Sequence, residues 1–435
     1  MNDGLEQVAP HIPGPRSRAL AAALAASETR GVTYLADDFP IFWEEASGAL
    51  VTDVDGNRYL DFTAAFGVST TGHANPAVVR AISEQAARLP HGMGDVHPAS
   101  IKVRLLEKLA EIAPLEGAKS FLCSSGSEAV EFALKTAMLA TGDPHVLAFA
   151  GSYHGLSYGA LEVTGIPKFR EPWRKQLRES TTFVRFPDPR EPKSSERALE
   201  AVNKALRKDR AIGAIIMEPI LGRAGVVVPP EGFLSGLRTL CTQTDTLLIL
   251  DEIYTGFGRT GKMFACQHEN VQPDIVCVGK ALGGGFPISA TMLSAEIAAA
   301  WKPSSGEALH TSTYLGNPMG CAAALANLGE IERLNIPRLA RERERVMAEQ
   351  LHALQHFNTQ IAAVRGRGML WALEFKDPRF ANACVVRALQ RGLILLQSGM
   401  QGESITLAPP PVISDGQLER AFEILADVVR DPVLA

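Results

Sequence analysis

The feature that most constrains this chain is a series of short apolar runs separated by helix-like segments, between about Gly117 and Leu293. Six runs have the length of strands but lack the alternation of a half-exposed sheet; they read SFLCS, HVLAFA, AIGAIIMEP, LLILDE, DIVCVGK and ISATMLS. Strands that are apolar throughout are buried on both faces, which is typical of parallel sheets covered by helices. The pattern therefore predicts an α/β domain with a parallel sheet.

Segments on either side of this region indicate a smaller α+β domain. Upstream, ALVTDVDGNRYLDF has hairpin character around Asp55-Gly56. Downstream, we expect a long charged helix from Arg333 to Leu354, followed by a strand in GMLWALEF. The Pro and Ala content of about the first thirty residues suggests a loosely held arm.

The length of the chain, 435 residues, also favours more than one domain, because single cores usually stop growing below this size. We predict that residues 1–65 form an N-terminal arm and part of the small domain. We further predict that residues 66–325 form the large domain and that residues 326–435 complete the small one.

Composition argues against several classes of function. Apolar residues make up 46% of the chain and charged residues 21%, and the net charge of -5 gives no basic excess for nucleic acid. No apolar stretch follows a basic leader, so we expect no membrane span and a cytoplasmic protein. The six cysteines lack metal-ligand spacing and are interpreted as buried free thiols, so no metal site is predicted.

A turn rich in small residues follows the first apolar run, in SFLCSSGSEAVEFALK, and places Gly126 and Ser127 at a helix N-terminus. Unpaired N–H groups and the positive end of the helix dipole favour a phosphate there, with the hydroxyls of Ser125 and Ser127 as further donors. The alternative is a simple N-cap, the commonest role of such turns.

An acid, Asp251, ends the run LLILD, at the edge where open α/β sheets place their ligands. It is either a helix cap or a functional group. A carboxylate beside a pyridine nitrogen would keep that nitrogen protonated. Ile253, two residues later, could then press on the face of the ring.

A lysine, Lys280, directly follows the next apolar run and precedes the glycine-rich ALGGGFP. Burial would lower the pKa of its ammonium group and so supply a neutral amine that can attack an aldehyde. The alternative is a lysine that extends from a strand end into solvent. Tyr153, in FAGSYHG, could stack on a cofactor ring opposite Ile253, or it could serve packing alone.

Taken together, SSGSEA, YHG, EPILG, LDEIYTGFGRTG, VGKALGGGFP and TSTYLGNP closely resemble the class III (subgroup II, omega-type) aminotransferases, and the resemblance spans roughly Gly48 to Pro411. It implies fold type I of the pyridoxal 5'-phosphate (PLP) enzymes, with a mostly parallel sheet flanked by helices in the large domain and a smaller α+β domain. It also implies PLP in the large domain and ping-pong transamination between an amine or amino acid and a keto acid, such as pyruvate or 2-oxoglutarate, or an aldehyde.

The resemblance assigns roles to single residues. Lys280 matches the Schiff-base lysine, Asp251 the partner of the pyridine nitrogen and Tyr153 the stacking aromatic, while Gly126 and Ser127 match the phosphate-binding turn.

Three further positions match supporting residues of the family. His154 and Glu218 match positions that support hydrogen bonds beside the ring. Thr313 matches a threonine that reaches the cofactor phosphate from the neighbouring subunit, which implies a homodimer with shared active sites; whether dimers pair into tetramers stays open.

The sequence departs from the family pattern at the substrate side. Many relatives that use α-amino acids or 4-aminobutyrate carry an arginine where ESITLAPPPV has Thr406, and a glutamate where EPILGRAG has Arg223. Losing only the arginine would leave a buried glutamate unpaired, so a double replacement is physically coherent. We expect Arg223 to bind the substrate carboxylate; the alternative is that it pairs with a structural acid or points to solvent.

N-terminal segments commonly wall the substrate pocket in this family, and Phe42, Trp43, Phe66 and Val68 fall in them. An apolar or aromatic amine is therefore plausible. These side chains could equally belong to the core, which is the interpretation we favour for Trp43.

Other reactions use the same cofactor residues. Some class III members are racemases, epimerases, aminomutases or decarboxylases, and the cofactor motifs do not separate these from transaminases. A catalytically silent protein of this fold would be expected to lose the lysine or the aspartate, and both are present here.

Overall fold

The computed structural model describes residues 8–9 and 11–430. Its strands are β1 Trp43–Ser47, β2 Leu50–Asp53, β3 Arg58–Asp61, β4 Lys119–Cys123, β5 His145–Ala150, β6 Thr181–Arg185, β7 Ile212–Met217, β8 Leu247–Asp251, β9 Ile275–Val278, β10 Ser289–Leu293, β11 Ile361–Arg367, β12 Leu370–Phe375, β13 Leu393–Ile394, β14 Leu396–Ser398 and β15 Ser404–Leu407.

Helices connect and cover these strands. They are α1 Pro15–Ser27, α2 Ala64–Gly67, α3 Pro76–Arg88, α4 Ser100–Ile112, α5 Gly126–Thr141, α6 Tyr158–Val163, α7 Pro167–Arg170, α8 Ser194–Lys208, α9 Phe233–Thr244, α10 Ala295–Ala298, α11 Pro318–Arg333, α12 Ile336–Phe357, α13 Pro378–Gln390 and α14 Asp415–Arg430. Short 3₁₀ turns occupy Glu171–Gln176, Ala265–His268 and Lys280–Leu282.

The central sheet has the order β4-β10-β9-β8-β7-β5-β6. Pairing is parallel from β9 through β8, β7 and β5 to β6, which confirms the predicted mostly parallel sheet. Strand β10 is antiparallel to both of its neighbours. The link over residues 279–288 contains only a 3₁₀ turn, whereas a parallel return needs a longer crossover.

Both faces of this sheet are covered, as the apolar runs predict. Leu248 and Leu250 of β8 pack into one apolar cluster, whereas Ile249 packs with Val130 and Ala133 of α5 in another. Strand β6 was not predicted from its sequence, TTFVR. It is an edge strand and largely only half-buried, so it lacks a continuous apolar run.

Two smaller sheets, β1-β2-β3-β13 and β11-β12-β15-β14, are built from the segments on either side of the central sheet. The predicted hairpin forms between β2 and β3, and β13 pairs in parallel with β3. Leu60 and Phe62 share an apolar cluster with Leu351, Leu407 and Leu425. Segments from before and after the central sheet therefore pack against each other.

The charged helix forms with shifted bounds, Ile336–Phe357, because α11 runs to Arg333 and Pro337 occupies the first turn of the next helix. Helix α1 is held at its start, where the carboxylate of Asp55 accepts the N–H groups of Arg16 and Ser17 at 2.8 and 2.9 Å. Most of its other side chains are exposed, and residues 1–7 and 10 of the predicted arm lie outside the described residues.

All six cysteines are buried free thiols, as predicted. Within the described ranges, no helix combines the length and the apolar content needed to cross a membrane. In the same part of the chain, no group of three or more His, Cys, Asp and Glu side chains is arranged to hold a metal ion.

A fully buried arginine, Arg259, joins the central sheet to the smaller sheets. Its Nη1 donates to the carbonyl oxygens of Met369, Ala408 and Pro409 at 3.3, 3.2 and 2.7 Å, and its Nη2 donates to Thr70 Oγ1 at 3.2 Å. Burial lowers the pKa of this guanidinium to about 10, so it stays charged at neutral pH. One cation therefore satisfies backbone groups from several segments.

We predict that Arg259→Met destabilises the fold by about 3 kcal/mol, because three buried carbonyl oxygens lose their donor at about 1 kcal/mol each. The measurement is the urea midpoint of unfolding. The matched control is Arg345→Met, whose side chain is 80% exposed and pairs with Glu349 on α12; it should change stability by no more than about 0.5 kcal/mol. Equal effects of the two substitutions would contradict the assigned role.

Candidate active site

The candidate site lies at one edge of the central sheet. Because parallel strands end at the same edge, the residues that follow β4, β5, β7, β8 and β9 meet there. They line a cavity of about 560 Å³ that contains nine of the predicted cofactor residues: Ser125, Gly126, Ser127, Tyr153, His154, Glu218, Asp251, Ile253 and Lys280. The substrate-side residues Phe66, Arg223 and Thr406 line the same cavity.

The small-residue turn is both an N-cap and a wall of the cavity. Ser125 caps α5, with its Oγ accepting the N–H of Glu128 at 3.3 Å, and Glu128 Oε2 accepts the N–H of Ser124 at 2.8 Å. The N–H groups of Gly126 and Ser127 belong to the first turn, where a helix has no internal acceptors. They and the positive helix end make this wall suited to an anion.

Close packing around this turn requires glycine at two positions. A Cβ on Gly126 would lie 2.9 Å from Ile253 Cδ1, and a Cβ on Gly155 would lie 2.0 Å from Ser127 Oγ. Gly155 also has a φ of +122°, which other residues rarely adopt. The turn is therefore fitted against Ile253 and the segment after Tyr153.

A buried carboxylate–imidazole pair lies at the floor of the cavity. Asp251 Oδ2 is 2.7 Å from His154 Nδ1, and Asp251 Oδ1 accepts the N–H of Ile253 at 3.1 Å. Both side chains are almost fully buried. His154 Nε2 is buried without a hydrogen-bond partner. The pair fixes the orientation of the Asp251 carboxylate.

Lys280 begins the 3₁₀ turn after β9 with a φ of +36°, an uncommon conformation for a lysine. Burial lowers the pKa of its ammonium group, and the carboxylates of Asp251 and Glu218 oppose this effect. Its Nζ lies 5.0 Å from the ring centroid of Tyr254, and in the described part of the chain no carboxylate oxygen lies within ion-pair distance of it. The side chain lines the cavity, and the lowered pKa shifts its amine toward the neutral form.

Glu218 connects two walls of the cavity. Its Oε1 accepts the N–H of Tyr153 at 2.8 Å, and its Oε2 accepts the N–H of Gly222 at 3.0 Å. Burial raises the pKa of this carboxyl to about 7, although His154 and the two N–H groups oppose the shift. Glu218 therefore positions the backbone on which Tyr153 and Arg223 are carried.

Arg223 lies beside an aromatic pair. The rings of Tyr153 and Phe169 meet edge to face at 5.4 Å, and the guanidinium of Arg223 lies 5.7 Å from the centroid of Phe169. The Arg223 side chain is exposed, and no acidic partner is found for it among the described residues. This arrangement favours a cation available to a ligand over a structural ion pair.

Thr406 is buried in β15, and its Oγ1 donates to Ser398 Oγ at 2.7 Å. Both residues line the cavity. A neutral hydroxyl pair therefore occupies the place where the family pattern has an arginine.

Phe66 reaches the cavity from a strained segment. Ala64, Ala65, Phe66 and Gly67 all have positive φ, at 46°, 48°, 63° and 82°. The carboxylate of Asp61 supports this segment by accepting the N–H groups of Thr63 and Ala65, and a Cβ on Gly67 would lie 2.4 Å from the Tyr254 ring. The side chain of Phe66 is 58% exposed at the cavity wall.

Two predicted site residues do not line this cavity. Trp43 is 42% exposed, so it does not belong to the core either, and it packs edge-on against His73 at 5.7 Å. Thr313 lies in an exposed segment after β10. Phe42 and Val68, two further candidates for the pocket wall, are only half-buried and also lie outside the lining.

Other lining residues were not found from the sequence. Tyr254 follows Ile253 directly, and burial raises its pKa to about 12; an aromatic beside the acid motif was a usable signal. Leu396 and Gln397 come from β14, far along the chain, and Phe169 from α7. No local pattern marks these three.

We predict that Glu218 makes stability depend on pH. Because the folded pKa is raised from 4.5 to about 7, the folded state holds the proton more tightly, so stability falls as pH rises through this window and is level above it. The difference in stability between Glu218→Gln and the parent should grow by on the order of 3 kcal/mol across the window. Thermal midpoints of the cofactor-free proteins against pH measure this, with the exposed Glu349→Gln as control. A pH-independent difference would be evidence against a proton on Glu218.

Comparison with known proteins places this geometry in a family. The family described as Aminotransferase class-III matches residues 33–429. The acetylornithine aminotransferase of Methanopyrus kandleri is 40% identical over 392 residues, covering 90% of this chain and 95% of that protein. A 4-aminobutyrate aminotransferase of Mycobacterium leprae is 35% identical over 456 aligned positions, covering 98% of each.

The fold agrees with a solved relative. The crystal structure of an amine transaminase from an uncultivated Pseudomonas species, in its PLP-bound form, has a TM-score of 0.86 and 28% identity, covering 93% of this chain and 98% of that one. These matches confirm the predicted fold type, cofactor and reaction. The chain belongs to the class III aminotransferases, PLP-dependent enzymes that transfer an amino group from a donor to a carbonyl acceptor.

Proposed function

We propose that this class III aminotransferase binds PLP in the cavity at the edge of the central sheet and transfers amino groups through Lys280. The observation that carries the proposal is the convergence of three features on one cavity: the Lys280 amine, the buried Asp251–His154 pair and the first turn of α5. The unpartnered His154 Nε2 and the free N–H groups of that turn are polar atoms that a bound cofactor would satisfy.

Each wall of the cavity has a distinct task in this proposal. Gly126 and Ser127 hold the phosphate with their N–H groups, and Ser125 and Ser127 add hydroxyl donors. Asp251, oriented by His154, keeps the pyridine nitrogen protonated.

Two side chains position the ring. Tyr153 and Ile253 line the cavity and would hold the ring between them, and Glu218 holds the backbone of Tyr153 in place. Bound PLP supplies an electron sink that stabilises negative charge at the carbon bearing the amino group.

Lys280 has two roles in the reaction. Its Nζ, whose pKa is lowered by burial, is the group that would link to bound PLP. The same nitrogen would act as a general base that takes the proton from the donor carbon, and as a general acid that returns a proton to the carbon of the acceptor. The proton transfer by Lys280 in the second half-reaction is the reverse of that in the first.

Arg223 is proposed to bind the substrate carboxylate. Its guanidinium lies at the cavity wall beside Phe169, and the Thr406–Ser398 hydroxyl pair offers no competing charge. The relatives named above act on acetylornithine and 4-aminobutyrate, which both carry a carboxylate. The proposal includes an amine or amino acid as the donor and pyruvate or 2-oxoglutarate as the acceptor.

We also propose a homodimer in which Thr313 completes the phosphate site of the neighbouring subunit, and a cytoplasmic location. The exposed position of Thr313, away from the cavity of its own chain, supports a role across an interface. The division of the chain at residues 65 and 325 is retained as a proposal, supported by the apolar cluster that joins residues before 65 with residues after 325.

We predict that Lys280→Ala lowers transamination at least about 100-fold, because the general base and the covalent link are both lost. The measurement is keto product formed from an amine and pyruvate, together with the visible absorbance of the purified protein. Lys262→Ala removes an exposed lysine and is the matched control. Unchanged activity in Lys280→Ala, or colourless parent protein in saturating PLP, would refute the proposed role.

We predict that Arg223→Ala raises KM for carboxylated donors and acceptors about 10- to 100-fold, because a charge-assisted hydrogen bond contributes about 1.5–3 kcal/mol. KM for an uncharged primary amine should change less than about twofold. Arg223→Lys keeps the charge without the bidentate geometry, so its KM for carboxylated substrates should lie between those of the parent and of Arg223→Ala. If Arg223→Ala leaves KM for carboxylated substrates unchanged, another group binds the carboxylate.

A further inference from the structure

The loop that carries Arg223 is held from behind by a buried arginine, Arg365. We propose that Arg365, in β11, and Glu374, in β12, are positioning residues that direct Arg223 into the catalytic cavity. Neither of the two side chains lines the cavity, so both act through the backbone of the loop. The inference rests on the proposed role of Arg223 in binding the substrate carboxylate.

The loop, residues 222–226, is anchored by groups outside it. The two residues that flank it exchange backbone hydrogen bonds at 3.1 and 3.0 Å, which closes its base. The carbonyl oxygen of Arg223 accepts the N–H of Gly399 at 3.0 Å. The carbonyl oxygen of Gly225, two residues later, accepts Arg365 Nε at 3.1 Å. The backbone is thus fixed both at Arg223 and directly after it.

Glu374 fixes the guanidinium of Arg365. In the antiparallel pair β11–β12, Ala372 lies opposite Arg365, so Glu374 is the diagonal neighbour on the same face. The Arg365 side chain is 6% exposed, and its Nη1 forms an ion pair with Glu374 Oε2. Arg190, which follows β6, pairs with the other carboxylate oxygen at 2.8 Å. Without Glu374, the buried guanidinium would carry an uncompensated charge, so its hold on the loop would weaken.

The loop packs tightly against Arg365. Gly225 has a φ of +92°, and a Cβ on it would lie 2.7 Å from Ser404 Oγ and 3.0 Å from Arg365 Nη2. A side chain at this position would push the loop away from the arginine. Ser404 belongs to β15, which also carries Thr406 to the cavity wall. The support of the loop and the substrate side of the cavity therefore share a strand.

Anchoring of the loop reduces the entropic cost of binding. Arg223 is exposed and has no acidic partner among the described residues, so contacts of its own side chain do little to fix it. A guanidinium on a fixed backbone loses fewer conformations when a carboxylate binds than one on a mobile loop. The anchor should therefore lower KM for carboxylated substrates and have little effect on others.

The test measures the half-reaction of enzyme loaded with pyridoxamine phosphate, either with pyruvate or with acetaldehyde, which lacks the carboxylate. Glu374→Gln should raise KM for pyruvate about fivefold and KM for acetaldehyde less than about twofold. Glu374→Asp keeps the charge and should restore part of the loss. In an Arg223→Ala background, Glu374→Gln should change KM for pyruvate less than about twofold, because its effect passes through Arg223.

Amide hydrogen exchange of the loop gives a readout that does not depend on activity. The N–H groups of Gly225 and Val226 donate to the carbonyl oxygen of Gly222 at 3.3 and 3.2 Å, so their exchange reports opening of the loop. Glu374→Gln and Arg365→Lys should each accelerate this exchange about 10-fold, because both weaken the charge-assisted hydrogen bond to Gly225.

The matched control is Glu342→Gln, which removes an exposed ion pair with Arg338 on α12 and should change neither KM nor loop exchange. Loop exchange unaltered in both variants would overturn the inference. So would a rise in KM that is equal for the two acceptors, or one that persists in the Arg223→Ala background. An unchanged KM for pyruvate in Arg223→Ala alone would instead refute the proposed function of Arg223, and loop exchange then decides whether Arg365 holds the loop.

Discussion

Strands β5, β7, β8 and β9 pair in parallel, and the chain must cross back over the sheet between them. Every such strand therefore delivers its last residues to the same edge. Tyr153, Glu218, Asp251 and Lys280 are distant in sequence, but this rule alone brings them to one cavity. The same packing buries the edge, and burial shifts the pKa of Lys280 downward and that of Glu218 upward. Connectivity thus sets the position of these groups, and the burial that accompanies it sets the direction in which the pKa values of Lys280 and Glu218 shift.

Much of this arrangement was predictable because it depends on local pattern. The buried strands, the helix start at Gly126, and the acid and lysine at strand ends follow from apolar runs and the residues that end them. Two features that the sequence did not predict depend on contacts with residues distant in sequence. The edge strand β6 has no apolar run, and the direction of β10 depends on the length of its link to β9.

The lining of the cavity shows the same limit. Leu396 and Gln397 enter because β14 pairs with β15, a contact that no local pattern announces. Trp43 falls in a segment of the expected kind, yet its side chain is 42% exposed, because it lies in β1, a strand that is exposed along most of its length. Family resemblance supplied the roles of the cofactor residues, whereas the substrate side required side-chain positions. There, the Thr406–Ser398 hydroxyl pair lies in the same cavity wall as Arg223, which has no acidic partner among the described residues.

The run of positive φ angles from Ala64 to Gly67 has a consequence for how such an enzyme diversifies. Asp61 holds the backbone of the segment, and Gly67 packs against Tyr254, so neither is free to vary. Phe66 projects between them with more than half of its side chain uncovered. Exchange at this single position alters the width of the cavity while the groups that perform chemistry keep their places. A substitution of Phe66 would therefore reshape one wall of the cavity and leave both supports of its backbone in place.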